Sequence, residues 1–216
     1  MIFGLTTLTF CASLVFLLAL GINFMRKNRT LISLYVLQSL AVVLALLSLG
    51  LEERSNGLLY AALLTFAVKS VFAPIFLGRL IGKYSIHFSA ASYLSTPLTL
   101  IALAVITGFS YSIAARLTDG GSTTAIPLLF AAAFSALFLM TNRRGTLSIV
   151  IGVLSLENAI VLLATALGTG HTFALEFTVT FDIAVWIAIA SAFLGMLYRE
   201  FGTVDTGRAV STLIEE

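Results

Sequence analysis

Charge is scarce in this chain: ten acidic and twelve basic residues among 216, against a hydrophobic content of 59%. A soluble domain carries roughly 25% charged residues, so this composition excludes a water-soluble globule and fits an integral membrane protein. Cysteine occurs once, at Cys11 in the first apolar run. That excludes an internal disulfide. With no His or Cys cluster nearby, it also makes lipid-facing packing, not metal binding, the expectation for Cys11. Histidine occurs twice, at His87 and His171, each in an expected loop. No span therefore supplies an axial haem ligand, and phosphate-binding glycine loops and nucleophile elbows are missing too. The chain is expected to bring no cofactor and no catalytic centre of its own. A net charge of +2 gives no reason to expect nucleic acid.

What is present is length in the apolar runs. About 20 apolar residues cross a ~30 Å hydrocarbon core, and seven such runs occur, near 2–24, 30–50, 57–82, 93–115, 124–141, 145–168 and 172–198. The expectation is an all-α integral membrane protein, because a helix satisfies its own backbone groups in lipid. The first run has no preceding positive charge and is followed by Met25-Arg26-Lys27-Asn28-Arg29, which suits an uncleaved helix with its N-terminus outside. That orientation places Arg26, Lys27, Arg29, Arg79, Lys83, Arg143, Arg144, Arg199 and Arg208 on the cytoplasmic side. Only Arg54 and Arg116 fall opposite, beside Glu52, Glu53 and Asp119, and the bias puts the C-terminus in the cytoplasm. The third run is long enough to tilt, or to bend at Pro74. The segment 83–92 reads as a short interfacial piece.

A faint internal repeat is also visible. Phe24-Met25-Arg26-Lys27-Asn28-Arg29-Thr30-Leu31-Ile32-Ser33 echoes Leu139-Met140-Thr141-Asn142-Arg143-Arg144-Gly145-Thr146-Leu147-Ser148. The expected organisation is therefore one membrane domain made of a first three-helix repeat (1–83), an inserted helix (93–115), a second, parallel repeat (124–200) and a polar tail (201–216). The inserted helix keeps the two repeats in the same orientation.

Polar residues inside these runs carry the functional signal. Gln38, Lys69, Glu157 and Asp182 each fall near the middle of a span. At 1.5 Å per residue, Gln38 and Glu157 lie roughly 13–18 Å from the cytoplasmic start of their helices, and Lys69 and Asp182 roughly 15–18 Å from the outer start. A charge at that depth costs about 2.5–3.5 kcal/mol on insertion scales, so the three charges left unpaired would cost roughly 8–10 kcal/mol. The default reading is a lateral row of titratable groups. Glu157, with Asn158 beside it, sits between desolvation and a nearby cation, the condition for taking up and releasing protons. Asp182 has Thr178 one turn earlier on the same face and reads as a second relay carboxylate or as a structural partner for Lys69. Glu176 lies nearer the outer surface, as an exit carboxylate or a snorkelling residue. Lys69, five residues before Pro74, reads as a mobile ammonium that tunes the carboxylates, or as a static ion pair. Gln38 and Asn158 can hold water or bind neighbouring helices. The small residues Ser148, Gly152, Ser155 and Ala159 share one helix face and are explained by close helix packing.

Together these residues resemble a known group of complexes. Asn142-Arg143-Arg144-Gly145, through Gly152 to Leu156-Glu157-Asn158, is similar to the signature of the K subunit of bacterial respiratory complex I. Across nearly the whole chain the order resembles the membrane E component of hydrogenase-4 and formate hydrogenlyase-like complexes. That resemblance rests on Tyr35, Gln38 and Ser39; Lys69 and Pro74; Glu157-Asn158; Glu176 and Asp182; and the tail Gly202, Thr203, Val204, Asp205. It implies a non-redox membrane subunit, in a bacterial or archaeal cell membrane. Its implied neighbours are antiporter-like membrane subunits and a nickel–iron hydrogenase-like or related iron–sulfur module, with the lipid bilayer around it. The K subunit carries two glutamates; Glu157 matches the first, and Asp182 stands where the second would be. The N-terminal copy departs further, with Gln38 and Lys69, so the resemblance implies that any proton relay belongs to the C-terminal copy. The rival expectation is a helical scaffold whose buried charges are only structural pairs.

Overall fold

The computed structural model describes residues 2–84, 92–117 and 124–167, together with Gly195. Among these residues every regular element is a helix. α1 spans Ile2–Phe24, α2 Asn28–Glu52, α5 Thr96–Leu117, α6 Ala125–Asn142 and α7 Thr146–Ala166. Between α2 and α5 runs a rod of three pieces: α3 (Asn56–Thr65), a π-helical segment (Phe66–Phe72) and α4 (Ala73–Tyr84). Six helical stretches, from Thr6–Phe24 to Thr146–Ala166, are long and apolar enough to cross a membrane. The chain is thus an all-helical, multi-pass membrane protein. The expected seventh span at 172–198, the connection at 85–91 and the tail lie outside the described residues. So do Glu176, Thr178, Asp182, His87 and His171.

The helix ends show how apolar rods are joined so tightly. At the end of α2 the Glu53 N–H bonds to Leu49 O at 2.8 Å, and the Ser55 N–H reaches back to Gly50 O at 3.0 Å. That second bond closes the helix around Arg54, which takes the left-handed conformation (φ 51) usually filled by glycine. Ser55 then accepts from the Leu58 N–H and starts α3. At the other end of the molecule, α7 follows α6 after only Arg143, Arg144 and Gly145.

Packing builds on two hairpins. α1 lies against α2 and α6 against α7, and the hairpins meet through α1 on α6 and α2 on α7. The α3–α4 rod runs along α2, and α5 lies on the far side, mainly against α6. Gly152 lets α7 approach α6 closely: a Cβ there would stand 2.5 Å from Met140 Cγ and 3.3 Å from Ala136 O. The small-residue face of α7 is therefore a packing face, as the sequence suggested.

The core falls into two apolar clusters. One holds Leu8, Cys11, Val15, Val42, Leu46, Leu58, Leu129 and Leu162. The other, toward the loops that carry Arg26 and Arg143, holds Ile22, Leu31, Tyr35, Leu77, Ile81, Leu139, Leu147 and Leu154. Between them lies a polar layer with Gln38, Ser39, Lys69, Ser155 and Asn158. One expectation is corrected: Cys11 is wholly buried in the first cluster and does not face lipid. α1 is apolar on all sides, so its sequence carries no periodic signal for which face turns inward.

Candidate functional site

Lys69 sits in the middle of the π-helical segment. Pro74 has no N–H, and in an α-helix its ring would press on the carbonyl one turn earlier. The chain answers by widening the turn: the Ala73 N–H bonds to Val68 O, five residues back. At the place where a bend at Pro74 was one expectation, the structure has this widened turn, and the Lys69 side chain on it is 1% exposed.

The ammonium meets α7. Lys69 Nζ lies 2.8 Å from Glu157 Oε1, and it donates to Asn158 Oδ1 at 3.3 Å. Two adjacent residues of one helix thus hold the same cation, the carboxylate by charge and the amide by its oxygen. Asn158 passes the chain on: its Nδ2 donates to Ser39 Oγ on α2 at 3.1 Å. The Tyr35 hydroxyl stands next to Ser39, one turn nearer the Arg143 loop, and within electrostatic reach of Glu157. Glu157, Lys69, Asn158 and Ser39 therefore form one connected polar set spanning three helical elements, with the Tyr35 hydroxyl beside it.

Removing one partner of such a buried pair leaves an uncompensated charge, a loss of about 3–5 kcal/mol, whereas replacing both by apolar groups can be neutral. The pair is therefore a poor device for stability alone. It is a good device for a charge that must change, because uptake of one proton by Glu157 turns an ion pair into an ammonium beside a neutral acid.

Gln38 takes one of the two parts expected of it, that of binding a neighbouring helix. Its Nε2 donates to Val15 O on α1 at 3.2 Å, fastening α2 to α1, while its Oε1 has no partner among the described residues. Of the expected relay residues, the structure brings Lys69 and Glu157 together, with Asn158 in support. Among the described residues, the carboxylate at Lys69 is that of Glu157. Asp182, the partner weighed from sequence, lies outside the described residues with Glu176 and Thr178. No group of three or more His, Cys, Asp and Glu gathers among the described residues.

A second buried cation was not foreseen. Arg143, expected as a loop residue on the membrane surface, is only 6% exposed. Its Nη2 donates to Asn23 O at 2.7 Å and Met25 O at 3.0 Å, closing the C-terminal end of α1. Burial, and then the neighbouring charge of Arg26, pull its guanidinium below the usual arginine range. The carbonyls at the negative end of a helix dipole offset that cost. Beside it, Asn142 ties α5 to the bundle: the Tyr93 N–H donates to Asn142 O at 2.9 Å and the Leu94 N–H to Asn142 Oδ1 at 3.0 Å. Asn142 Nδ2 in turn donates to Thr99 Oγ1 at 3.4 Å, and the Arg144 guanidinium lies 4.4 Å over the Tyr93 ring. The Asn-Arg-Arg-Gly connection carries no sequence signal that one of its arginines turns inward.

Comparison with known proteins finds one informative likeness. Over 200 residues the chain is 26% identical to the uncharacterized protein Rv0085 of Mycobacterium tuberculosis, with 91% of each chain covered. No family model matches the chain. No solved structure matches it either.

Proposed function

We propose that this chain is a non-redox membrane subunit of a hydrogenase-4-type or complex I-like oxidoreductase complex. In that complex it helps couple electron transfer to proton translocation. The observation that carries the reading is the Lys69–Glu157 pair, 2.8 Å apart, with Lys69 on a π-helical segment and Glu157 on the apolar helix α7. Ionisable groups inside spans are costly, so they mark ion pathways by default. π-Helical segments inside helices occur frequently at functional sites.

In this reading Glu157 is the relay carboxylate. A proton arriving on it converts carboxylate to carboxylic acid and frees Lys69 from its counter-ion, while Asn158 keeps hold of the ammonium. Loss of that proton restores the pair. By their sequence positions, Asp182 is assigned as a second relay carboxylate with Thr178 in support, and Glu176 as an exit carboxylate. The partners are antiporter-like membrane subunits and a nickel–iron or iron–sulfur module. Their assignment rests on the resemblance in residue order described above, and the place of action is a bacterial or archaeal cell membrane.

The test is Glu157→Gln in the assembled complex. Coupled transport slows while assembly stays intact; unchanged transport in an assembled complex ends the relay role. Mass spectrometry of what accompanies the chain from its native membrane in mild detergent checks the partners. Recovery of antiporter-like subunits with a metal-bearing module supports them, and recovery of the chain alone removes them.

One observation favours a second reading, a scaffold that carries no ions: Lys69 is held by Asn158 as well as Glu157, as a static pair would be. The double swap Lys69→Glu/Glu157→Lys separates the two readings. A scaffold tolerates the exchange and keeps its function; a relay through α7 loses it.

A further inference from the structure

The buried polar atoms of this molecule are distributed unevenly along the membrane normal. Away from the Arg143 end, the hydroxyls of Ser48 and Thr165 are satisfied by carbonyls of their own helices, Ala45 and Val161. Toward the Arg143 end the pattern changes. Asn23 Oδ1, Gln38 Oε1, Ser135 Oγ and Ser155 Oγ have no partner among the described residues, although all four residues are at most 3% exposed. The Tyr35 hydroxyl, also wholly buried, lies beside Ser39 without a well-formed hydrogen bond.

These atoms form a graded series. They lie on α1, α2, α6 and α7, four helices that pack on one another. Counting 1.5 Å per residue from the helix ends at the Arg143 side, Ser135 and Tyr35 lie roughly 10 Å deep, Ser155 and Gln38 roughly 14–15 Å, and Asn158 roughly 18 Å. The first step is also tied to the surface: Asn23 Nδ2 donates to Ser135 O at 3.2 Å, and Asn23 O accepts from Arg143. A buried polar oxygen left without a partner costs about 1–3 kcal/mol, and buried water, making about three hydrogen bonds, is the usual remedy.

We infer that the seam between α1, α2, α6 and α7 binds a chain of ordered water molecules. It runs from Asn23 past Ser135, Tyr35 and Ser155 to the Asn158–Lys69–Glu157 set, and the opposite half of the core is dry. The ion pair thus receives its protons from the basic end of the molecule, which the charge bias of the loops assigns to the cytoplasm. The purpose of this route rests on the relay reading of Glu157; its existence does not.

The native chain holds the probes needed. In radiolytic hydroxyl-radical labelling of the protein purified with its native companions, radicals form from bound water and mark the side chains next to it. Tyr35 lies in the expected wet half and Cys11, whose sulfur is readily oxidised, in the dry half. The expected result is oxidation of Tyr35 with Cys11 untouched, and a several-fold fall in Tyr35 labelling in the Ser135→Ala/Ser155→Ala variant. An unlabelled Tyr35 overturns the water chain. Equal labelling of Cys11 overturns its one-sidedness. Because labelling requires no transport, a labelled Tyr35 alongside normal transport in Glu157→Gln leaves the water chain standing and removes only the relay.

Discussion

Lys69 and Arg143 are both buried cations in the same small bundle, yet they are held in opposite ways. Arg143 is satisfied by backbone carbonyls at the end of α1, groups that cannot titrate or leave. Its charge is fixed, and what it does is close a helix and join two hairpins. Lys69 is held by a carboxylate and an amide on α7, from a widened turn in its own helix. Its partner can be neutralised by one proton. Burial and positive charge therefore leave the two cations alike; the chemistry of the acceptor separates a fixed charge from one whose partner a proton can neutralise.

That contrast can be broken by exchange of side chains. The largest expected effect is at Lys69→Met, which leaves Glu157 without its cation and lowers stability by about 3–5 kcal/mol. Adding Glu157→Leu to the same chain recovers most of that loss while transport stays absent; thermal unfolding in detergent with a transport assay reads both. Arg143→Met comes next, at about 1.5–3 kcal/mol for the charged hydrogen bonds removed. Stability falls, but transport per assembled complex is retained. Should Arg143→Met abolish transport at full assembly, the division between a fixed and a changeable cation is wrong. The smallest effect has the opposite sign: Arg54→Gly, at the end of α2, relieves a left-handed residue and raises stability by about 0.5–1 kcal/mol. It touches neither cation, so transport is unchanged, and it calibrates how much stability alone matters.

Much of the architecture was legible in the sequence because the requirement that makes a span is one-dimensional. An apolar run near 30–50 becomes Asn28–Glu52, and one near 145–168 becomes Thr146–Ala166. Hydrocarbon thickness sets the length and the backbone does the rest. Depth was legible for the same reason, so Lys69 and Glu157 were already at similar levels. Azimuth was not. α1 is apolar all round, and Cys11 was turned toward lipid when it belongs inside. The pairing of Lys69 with Glu157 joins positions far apart in the chain and depends on how the α3–α4 rod lies on α2 and α7, which no local pattern encodes. Pro74 announced a disturbance, but that the helix would widen to the π form and aim Lys69 inward is a product of packing. Arg143 was read by its charge, as a surface residue, when the carbonyls at the end of α1, far away in the chain, hold it inside.

Gly152 gives the ion pair a mechanical setting. By letting α7 seat directly on the backbone of α6, it makes that hairpin the stiff member of the bundle, and Glu157 and Asn158 ride on it as on an anvil. The turn around Lys69, by contrast, is widened, with the Ala73 N–H reaching five residues back. In the proposed relay, a change of charge between them would act on the α3–α4 rod, whose outer side chains Phe66, Phe72 and Ile75 are exposed. A neighbour resting on that side would feel protonation as a push.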